Sequence, residues 1–581
     1  MNKLKKFLCI ILTLSIISSF SCIYISAYNV GDVIGKILST DIVAYVEGVM
    51  VPSYNIKGRT AIVAQDLRAL GKDANFGVNF DEATRVLTIK NTDVFGTGNV
   101  TPLTFSNSGN KPAVGTPVGD VLFTDITTNF EGVPVTSFNI GGLTCIYADD
   151  LGKLCGTYVW DETARTVNVF RSGSYIPSAS KVVSARGLPA EETVISRTET
   201  LERWASPQTS QLIKNKDGTY TAFEVGEHIN LDKYDQSFNL ISSFAIKKEL
   251  PIFGALYVGK DYNYVAYGQE NLLEDNSREV IRIVVYDKNF AKIREIPISN
   301  CKTAIPFDAS GASMSENDKY LVLHTARSQY SDEHGARPQT QLTVIINKET
   351  WEVSNLLGKY QYNHMSHALQ EFVKLDGDRI ITANYSDTAP LRGAFLQELD
   401  STGKVSFTRS IFGVGGALAA NCTGAMIGGL EVSDTGYLVP ISSIDHSLPT
   451  SYSSIDIQGI TAENRDVYVL WTDKLNLDLN STCLARYTGA GLTGSTPYIV
   501  KLADGNFMVL WQRFFDNEEQ SYNMCYAFVD RNGNQIGTTY TVPAQLSESC
   551  VPIETDGKVV WYVNSDFGRE FYSVSSYLPQ K

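Results

Sequence analysis

Positive charge is what this sequence has least of, relative to its opposite. The 581 residues carry 49 Lys and Arg against 63 Asp and Glu, a formal net charge of −14. A surface with that balance repels phosphate backbones, so nucleic acid is not an expected partner. Long apolar runs are also missing. One stretch, Phe7 to about Ile17, stands out, and it falls short of the ~20 residues that a membrane span needs. Cysteine occurs nine times with no C-x-x-C, which leaves a zinc ribbon or a thioredoxin-like centre without support. G-x-S-x-G, H-E-x-x-H and a P-loop are absent, as is a G-x-G-x-x-G in a strand–helix setting. What is plentiful is Gly (45) and Tyr (30), a balance that favours strands and tight turns over helical bundles. The 19% charged and 43% hydrophobic content belongs to a folded chain.

Residues 1–27 have the layout of an export signal. Lys3, Lys5 and Lys6 precede the apolar run, and a Ser-rich segment leads to Ala27. Cleavage is expected before Tyr28. Cys22 lacks the aliphatic residue three positions upstream that lipidation would require. Loss of the signal takes the charge from −14 to −17 and leaves seven cysteines. The mature chain is expected outside the cell or at its surface, with no transmembrane segment.

Two segments repeat. Asp41, Glu47-Gly48, Ser53-Tyr54-Asn55-Ile56, Asp66-Leu67, Phe80-Asp81-Glu82 and Arg85 align with Asp125, Glu131-Gly132, Ser137-Phe138-Asn139-Ile140, Asp150-Leu151, Trp160-Asp161-Glu162 and Arg165. Each copy reads as strands joined at the Glu-Gly turn, a short helix near Asp66 or Asp150, and a D-E-x-x-R turn into a closing strand. Copies at 37–90 and 121–171, a linker at 91–120 and a second at 172–189 are expected. The motif S-[YF]-N-I-x-G…D-L…[FW]-D-E-x-x-R resembles the copper amine oxidase-like N-terminal domain, or stalk domain, of secreted proteins. That resemblance implies two small α+β modules, each an antiparallel sheet on one helix, acting as spacer or binding units. It does not imply amine oxidation. That chemistry needs an Asn-Tyr-Asp/Glu motif and an H-x-H. This chain has no H-x-H, and Asn384-Tyr385 is followed by Ser386. No metal and no cofactor are expected. In the second copy Cys145 and Cys155 replace Ala61 and Gly71 together. Joint gain in an exported chain suggests a disulfide.

Beyond residue 190 a polar turn followed at once by an apolar strand recurs at Asp217, Asp261, Asp318, Asp376, Asp434, Asp504 and Asp556, spaced 44, 57, 58, 58, 70 and 52 residues apart. A second turn follows at Asp287, Asn347, Asp400 and Asp530. Units of about four strands at this period are the signature of a β-propeller, here of six or seven blades over 190–581. The last unit lacks a hairpin, which the segment 190–206 is expected to supply. The fold class is therefore mainly β, two stalk modules followed by a propeller.

The most pointed polar group is His364 and His367 in N-H-M-S-H, with Tyr385, Asp387 and Arg392 following in the same unit. Two imidazoles, a phenol, a carboxylate and a guanidinium near the mouth of a channel would suit an anionic or sugar ligand. Trp471, Trp511 and Trp561 each end an apolar strand, where core packing is the commoner use of an indole. Two readings follow. One is a non-enzymatic surface protein whose propeller binds a glycan or a protein. The other is an extracellular propeller enzyme, a hydrolase, lyase or sulfotransferase, working at the channel mouth.

Overall fold

The computed structural model describes residues 28–71, 74–93, 95, 103–104, 112–162, 164–172, 177–201, 204–354, 357, 367–387, 392–415, 424–446, 451–452, 457–458, 463–474 and 478–578. The signal segment, His364 and much of the 91–120 linker lie outside them. No helix among the described residues is long and apolar enough to cross a membrane.

The two repeats exchange strands. Val43–Val46 and Val49–Val51, from the first copy, join Gly156–Asp161 and Thr166–Arg171 of the second in one sheet. Thr127–Phe130 and Val133–Val135, from the second copy, join Gly77–Asp81 and Val86–Lys90 of the first. The central contact in each sheet is parallel. Strands of both copies also close a six-stranded barrel. The expected antiparallel sheet within each copy is thus corrected to two mixed sheets and a barrel that the copies share. The linker expected at 91–120 contributes a barrel strand, Pro117–Leu122.

The exchange explains the repeated motif. Arg85 of the first copy pairs with Asp125 of the second at 2.7 Å, and Arg165 of the second with Asp41 of the first at 3.1 Å. Glu47 accepts from the Arg171 amide at 2.5 Å, and Glu131 from the Asn91 amide at 2.8 Å. Asp81 and Asp161 hold their own turns through the amides of Ala83 and Ala164, each at 2.9 Å. Glu47-Gly48 and Glu131-Gly132 take positive φ at both residues, as a type I′ hairpin demands. At Gly48 a Cβ would also stand 2.7 Å from the Thr539 carbonyl oxygen, because this turn is pressed against the second part of the chain.

Cys145 and Cys155 are separate buried thiols rather than a bridge. Cys145 faces the barrel interior with Val63 and Phe138, whereas Cys155 ends the helix Ala148–Cys155 among Ala44, Val46 and Leu151. They serve two different cores. Burial pushes both thiols up to about 12. Iodoacetamide at pH 8 should therefore label neither in the folded protein and both once the chain is unfolded without reductant. Labelling that needs reductant even after unfolding would restore the disulfide.

The second part is propeller-like: among the described residues seven small sheets follow one another in sequence, and a two-stranded pair, Ser451–Tyr452 with Ile457–Gln458, falls within the span of the fifth. The seven span 210–246, 252–298, 303–347, 368–413, 425–485, 492–543 and 553–575, here sheets 1 to 7. Each recurrent Asp turn joins the first strand of a sheet to the second, and the second series of turns follows the third strand. Four turns after a third strand share one device, whereas Asn347 accepts from the amides two and three residues on. Asp235, Asp287, Asp400 and Asp530 each accept from the amides two and four residues on. In sheets 3, 5 and 6 the first strand is broken into two pieces that pair with the same second strand.

Apolar cores lie between successive sheets around a ring. Phe223 and Phe253 meet between sheets 1 and 2, Ile283 and Leu323 between 2 and 3, and Ile345 and Val373 between 3 and 4. Leu396 and Val439 fill the gap between 4 and 5, and Val469 and Trp511 that between 5 and 6. One last core joins sheets 6, 7 and 1 through Met508, Trp561 and Tyr234. Trp511 and Trp561 are each fully buried in their own core.

Sheet 7 receives its fourth strand from the far end of the chain, Ala179–Ser184 pairing antiparallel with Gly568–Ser575. Closure from upstream was legible in the sequence; the segment was not. Residues 190–206 add no strand to sheet 7: Thr193 exchanges hydrogen bonds with the Asn564 backbone at 3.2 and 3.0 Å, and Val194 forms a lone bridge with Ser547, which precedes the sheet. The closing strand lies inside the expected 172–189 linker, and its Lys181 ammonium reaches Glu570 at 2.7 Å. A buried ionic cluster seals the same seam. Arg569 of sheet 7 contacts Glu224 at 2.7 Å and Asp232 at 3.0 Å, both in sheet 1.

Candidate functional site

Ring geometry leaves an axial cavity of about 430 Å³. Every sheet contributes to its wall: Gln211, Tyr257, Ser313, Glu371, Glu431, Tyr498 and Val551 come from or beside the first strands of sheets 1, 2, 3, 4, 5, 6 and 7. The segment that precedes sheet 1 lines it too, with Glu199, Trp204 and Gln208. Part of the segment expected to complete a sheet goes here: Ile195, Glu199, Thr200 and Trp204–Ser206 line the cavity. The short helix Arg197–Leu201 is pinned by Arg465, whose guanidinium donates to the Thr200 carbonyl at 2.6 Å.

Polar side chains reach the cavity most densely on the first strand of sheet 4, Ala368–Asp376. A register shift lies between Ala368 and Glu371. Gln370 donates to the Met426 sulfur at 3.2 Å. Lys374 is held by Glu431 at 2.8 Å. Glu371 is fully buried, with His324 Nε2 2.5 Å from its Oε2. His324 is locked from both edges, Thr343 Oγ1 lying 2.9 Å from Nδ1 and Asn384 Oδ1 2.7 Å from Nε2. Two acceptors facing Nε2 place a proton there. Burial pushes the Glu371 carboxyl up, and the neighbouring imidazole opposes that shift.

The residues singled out in the sequence gather at the start of the same strand. His367 immediately precedes it, and its Nδ1 lies 3.0 Å from Asp387 Oδ1. Arg392 donates to the Asp387 carbonyl and, at 2.9 Å, to that of Gly415. The Gly415 amide in turn donates to His446 Nδ1 at 3.3 Å. His367, Asp387 and Arg392 are thus brought together, with His446 added from the sheet 5 side. Tyr385 is not at the rim: it is fully buried in the core between sheets 4 and 5. His364 lies outside the described residues. No group of three or more His, Cys, Asp or Glu stands in metal-binding proximity among the described residues.

The two imidazoles are tuned in opposite directions. The hydrogen bond to Asp387 raises His367 above the ordinary 6.5, whereas burial, aided by Arg392, lowers His446 to about 4. Above pH 6.5 the folded chain keeps the His367 proton longer than the unfolded chain, so this contribution to stability is lost as pH rises through the raised value. Between pH 6.5 and about 4 the unfolded chain takes up a proton that His446 refuses, so its effect lowers stability as pH falls. In an NMR titration His367 should turn over above 6.5 and His446 near 4. Asp387→Asn should bring His367 down. A His367 midpoint unmoved by Asp387→Asn would contradict the pairing.

Sequence reading missed Gln370, Glu371, Lys374 and His324. The signal was present in A-L-Q-E-F-V-K-L-D, where three polar side chains interrupt a strand that should be apolar on both faces.

No family model and no curated protein matches the sequence. Among solved structures the chain is similar to the WD40 β-propeller domain of Doa1, at 11% identity over 67% of this chain and 98% of that one, with a TM-score of 0.35. It is also similar to a monoclinic crystal form of an ACO/RPE65 chimera, at 9% identity over 59% of this chain and 73% of that one, with a TM-score of 0.34. Neither similarity bears on ligand or activity.

Proposed function

We propose that the chain is an exported, non-enzymatic binding protein whose propeller-like ring takes a glycan in its axial cavity. The interlocked repeats act as a rigid stalk against the ring. The observation that carries the reading is the cavity wall, to which all seven sheets and the Trp204 segment contribute. Its amides, carboxylates and aromatic faces are the chemistry with which proteins hold sugars. Docking of the stalk is supported by Tyr45, whose hydroxyl accepts from the buried Arg513 of sheet 6. Export rests on residues 1–27.

A second reading, an extracellular enzyme at the channel mouth, is favoured by one feature. Asp387 orients His367 as a carboxylate orients a catalytic base. Glycan-array binding of the mature protein, run beside activity screens on polysaccharides and aryl sulfates, separates the two. The first reading expects array binding weakened roughly tenfold by Trp204→Ala, about 1.4 kcal/mol, with no turnover. Turnover abolished by His367→Ala would replace it with the second.

A further inference from the structure

Two neighbouring sheets of the ring are joined by a detour. Sheets 7 and 1 stand side by side, with Gln211 bridging to Val551. The chain leaves sheet 7 at Thr193, beside Asn564, and enters sheet 1 at Ser210. In between it visits the far side of the ring. The Arg197 amide donates to the Glu519 carbonyl at 3.0 Å, and the Thr198 amide to the Glu519 carboxylate at 3.2 Å. Glu519 lies between two strands of sheet 6. Arg197 pairs with Glu463, and Arg465 donates to the carbonyls of Thr200 and Leu201 at 2.6 and 3.3 Å, both just ahead of a strand of sheet 5. The Ser206 carbonyl oxygen then stands 4.0 Å from where a Cβ on Gly311, at the edge of sheet 3, would lie. A connection between neighbours that reaches sheets 6, 5 and 3, and lines the axial cavity as it goes, lies across one mouth of that cavity.

We propose that this strap, Ile195–Leu201 with Trp204–Gln208, is a lid on the axial cavity, closed in this structure and opened by release of its polar latch. The inference concerns entry to the cavity of the glycan reading and rests on ligand binding there. An element that opens locally is one with few buried apolar contacts. From Ser196 to Thr209 Thr200 alone is buried among the described residues. The apolar anchors, Val194 and Ile195, belong to the core of sheets 6, 7 and 1 and sit at one end, as a hinge does. The helical turn carries its own cap. The Ser196 amide donates to Glu199 at 2.7 Å and the Glu199 amide to Ser196 Oγ at 3.2 Å, so the turn swings as a unit. The pair of Arg197 with the largely exposed Glu463 exchanges for water at little cost. Arg465 is the firm contact: it is 3% exposed and gives two donors to the last carbonyls of the turn.

The cavity holds its own reporter. Met426 lines it at 7% exposure, while its neighbours Ala425 and Ile427 pack into the core between sheets 4 and 5. Met508 and Met524 are fully buried in the core of sheets 6, 7 and 1 and serve as controls. The test is oxidation of the mature protein by hydrogen peroxide, with the sulfoxide at each methionine followed by peptide mass spectrometry. Arg465→Ala should speed oxidation of Met426 roughly tenfold, the effect of removing one or two hydrogen bonds from a local opening, and leave Met508 and Met524 slow. Should that variant unfold, all three methionines rise together. Glu463→Ala with Glu519→Ala, both on the surface, then decides, with Met426 alone expected to rise several-fold. A Met426 rate unchanged by the surface pair, or by a folded Arg465→Ala, overturns the lid whatever the glycan array shows. A Met426 response without any array binding keeps the lid and removes the glycan.

Discussion

Arg569→Ala should destabilise the ring by about 3–5 kcal/mol, the usual cost of removing one partner from a buried ion pair. The guanidinium is 1% exposed and lies on the last strand of the chain. It reaches Glu224 and Asp232 of sheet 1, donates to the Tyr234 hydroxyl at 3.0 Å, and turns its Nε to Asn564 at 3.1 Å. Truncation leaves two buried carboxylates without the guanidinium that pairs with both. Burial already raises Glu224 despite Arg569, so the variant must protonate it or expose it. Urea unfolding followed by tryptophan emission should show the loss as a lower midpoint. Arg569→Ala combined with Glu224→Gln and Asp232→Asn should recover much of it. A single variant within 1 kcal/mol of the parent would mean that the seam holds by apolar packing alone.

Breaking the closing strand should change the protein's state of association. Val182→Pro with Val183→Pro removes the amide hydrogen at two consecutive positions of Ala179–Ser184. In an antiparallel ladder one of any two neighbours donates to the partner strand. The strand should detach and leave Gly568–Ser575 as an open edge whose side chains are almost all buried. Such an edge pairs with other chains. Light scattering should then show mass rising with concentration, while the parent stays constant. A double variant that remains at the parent's mass would show that the strand is dispensable to closure.

Period and turn chemistry made the ring legible. Each Asp turn at 217, 261, 318, 376, 434, 504 and 556 proved to be the hairpin between the first and second strands of a sheet, because a tight connection there has few solutions. Which segment closes the ring was not legible. Ala179–Ser184 is six residues with one alternation, and its partner lies about 390 positions away, a pairing that no local signal encodes. Strand exchange between the repeats escaped for a related reason. The motif residues Asp41, Glu47 and Arg85 show that two copies exist, but a turn that binds its own copy and one that binds its twin look alike in sequence. At the site, His367, Asp387 and Arg392 were found because they are polar and close along the chain. Glu371 and His324 sit on strands of different sheets, and only the ring brings them within 2.5 Å.

The central claim is that ligand binds in the axis of the ring. Hydrogen exchange of the full mature chain, with and without the strongest array glycan, addresses it directly. Protection is expected on Gln370–Lys374, Met426–Glu431 and the 196–208 segment, which belong to three separate parts of the sequence and meet at the cavity. Protection confined to the repeat unit at 33–171, or to the outer strands such as Leu240–Ile246, would contradict the account.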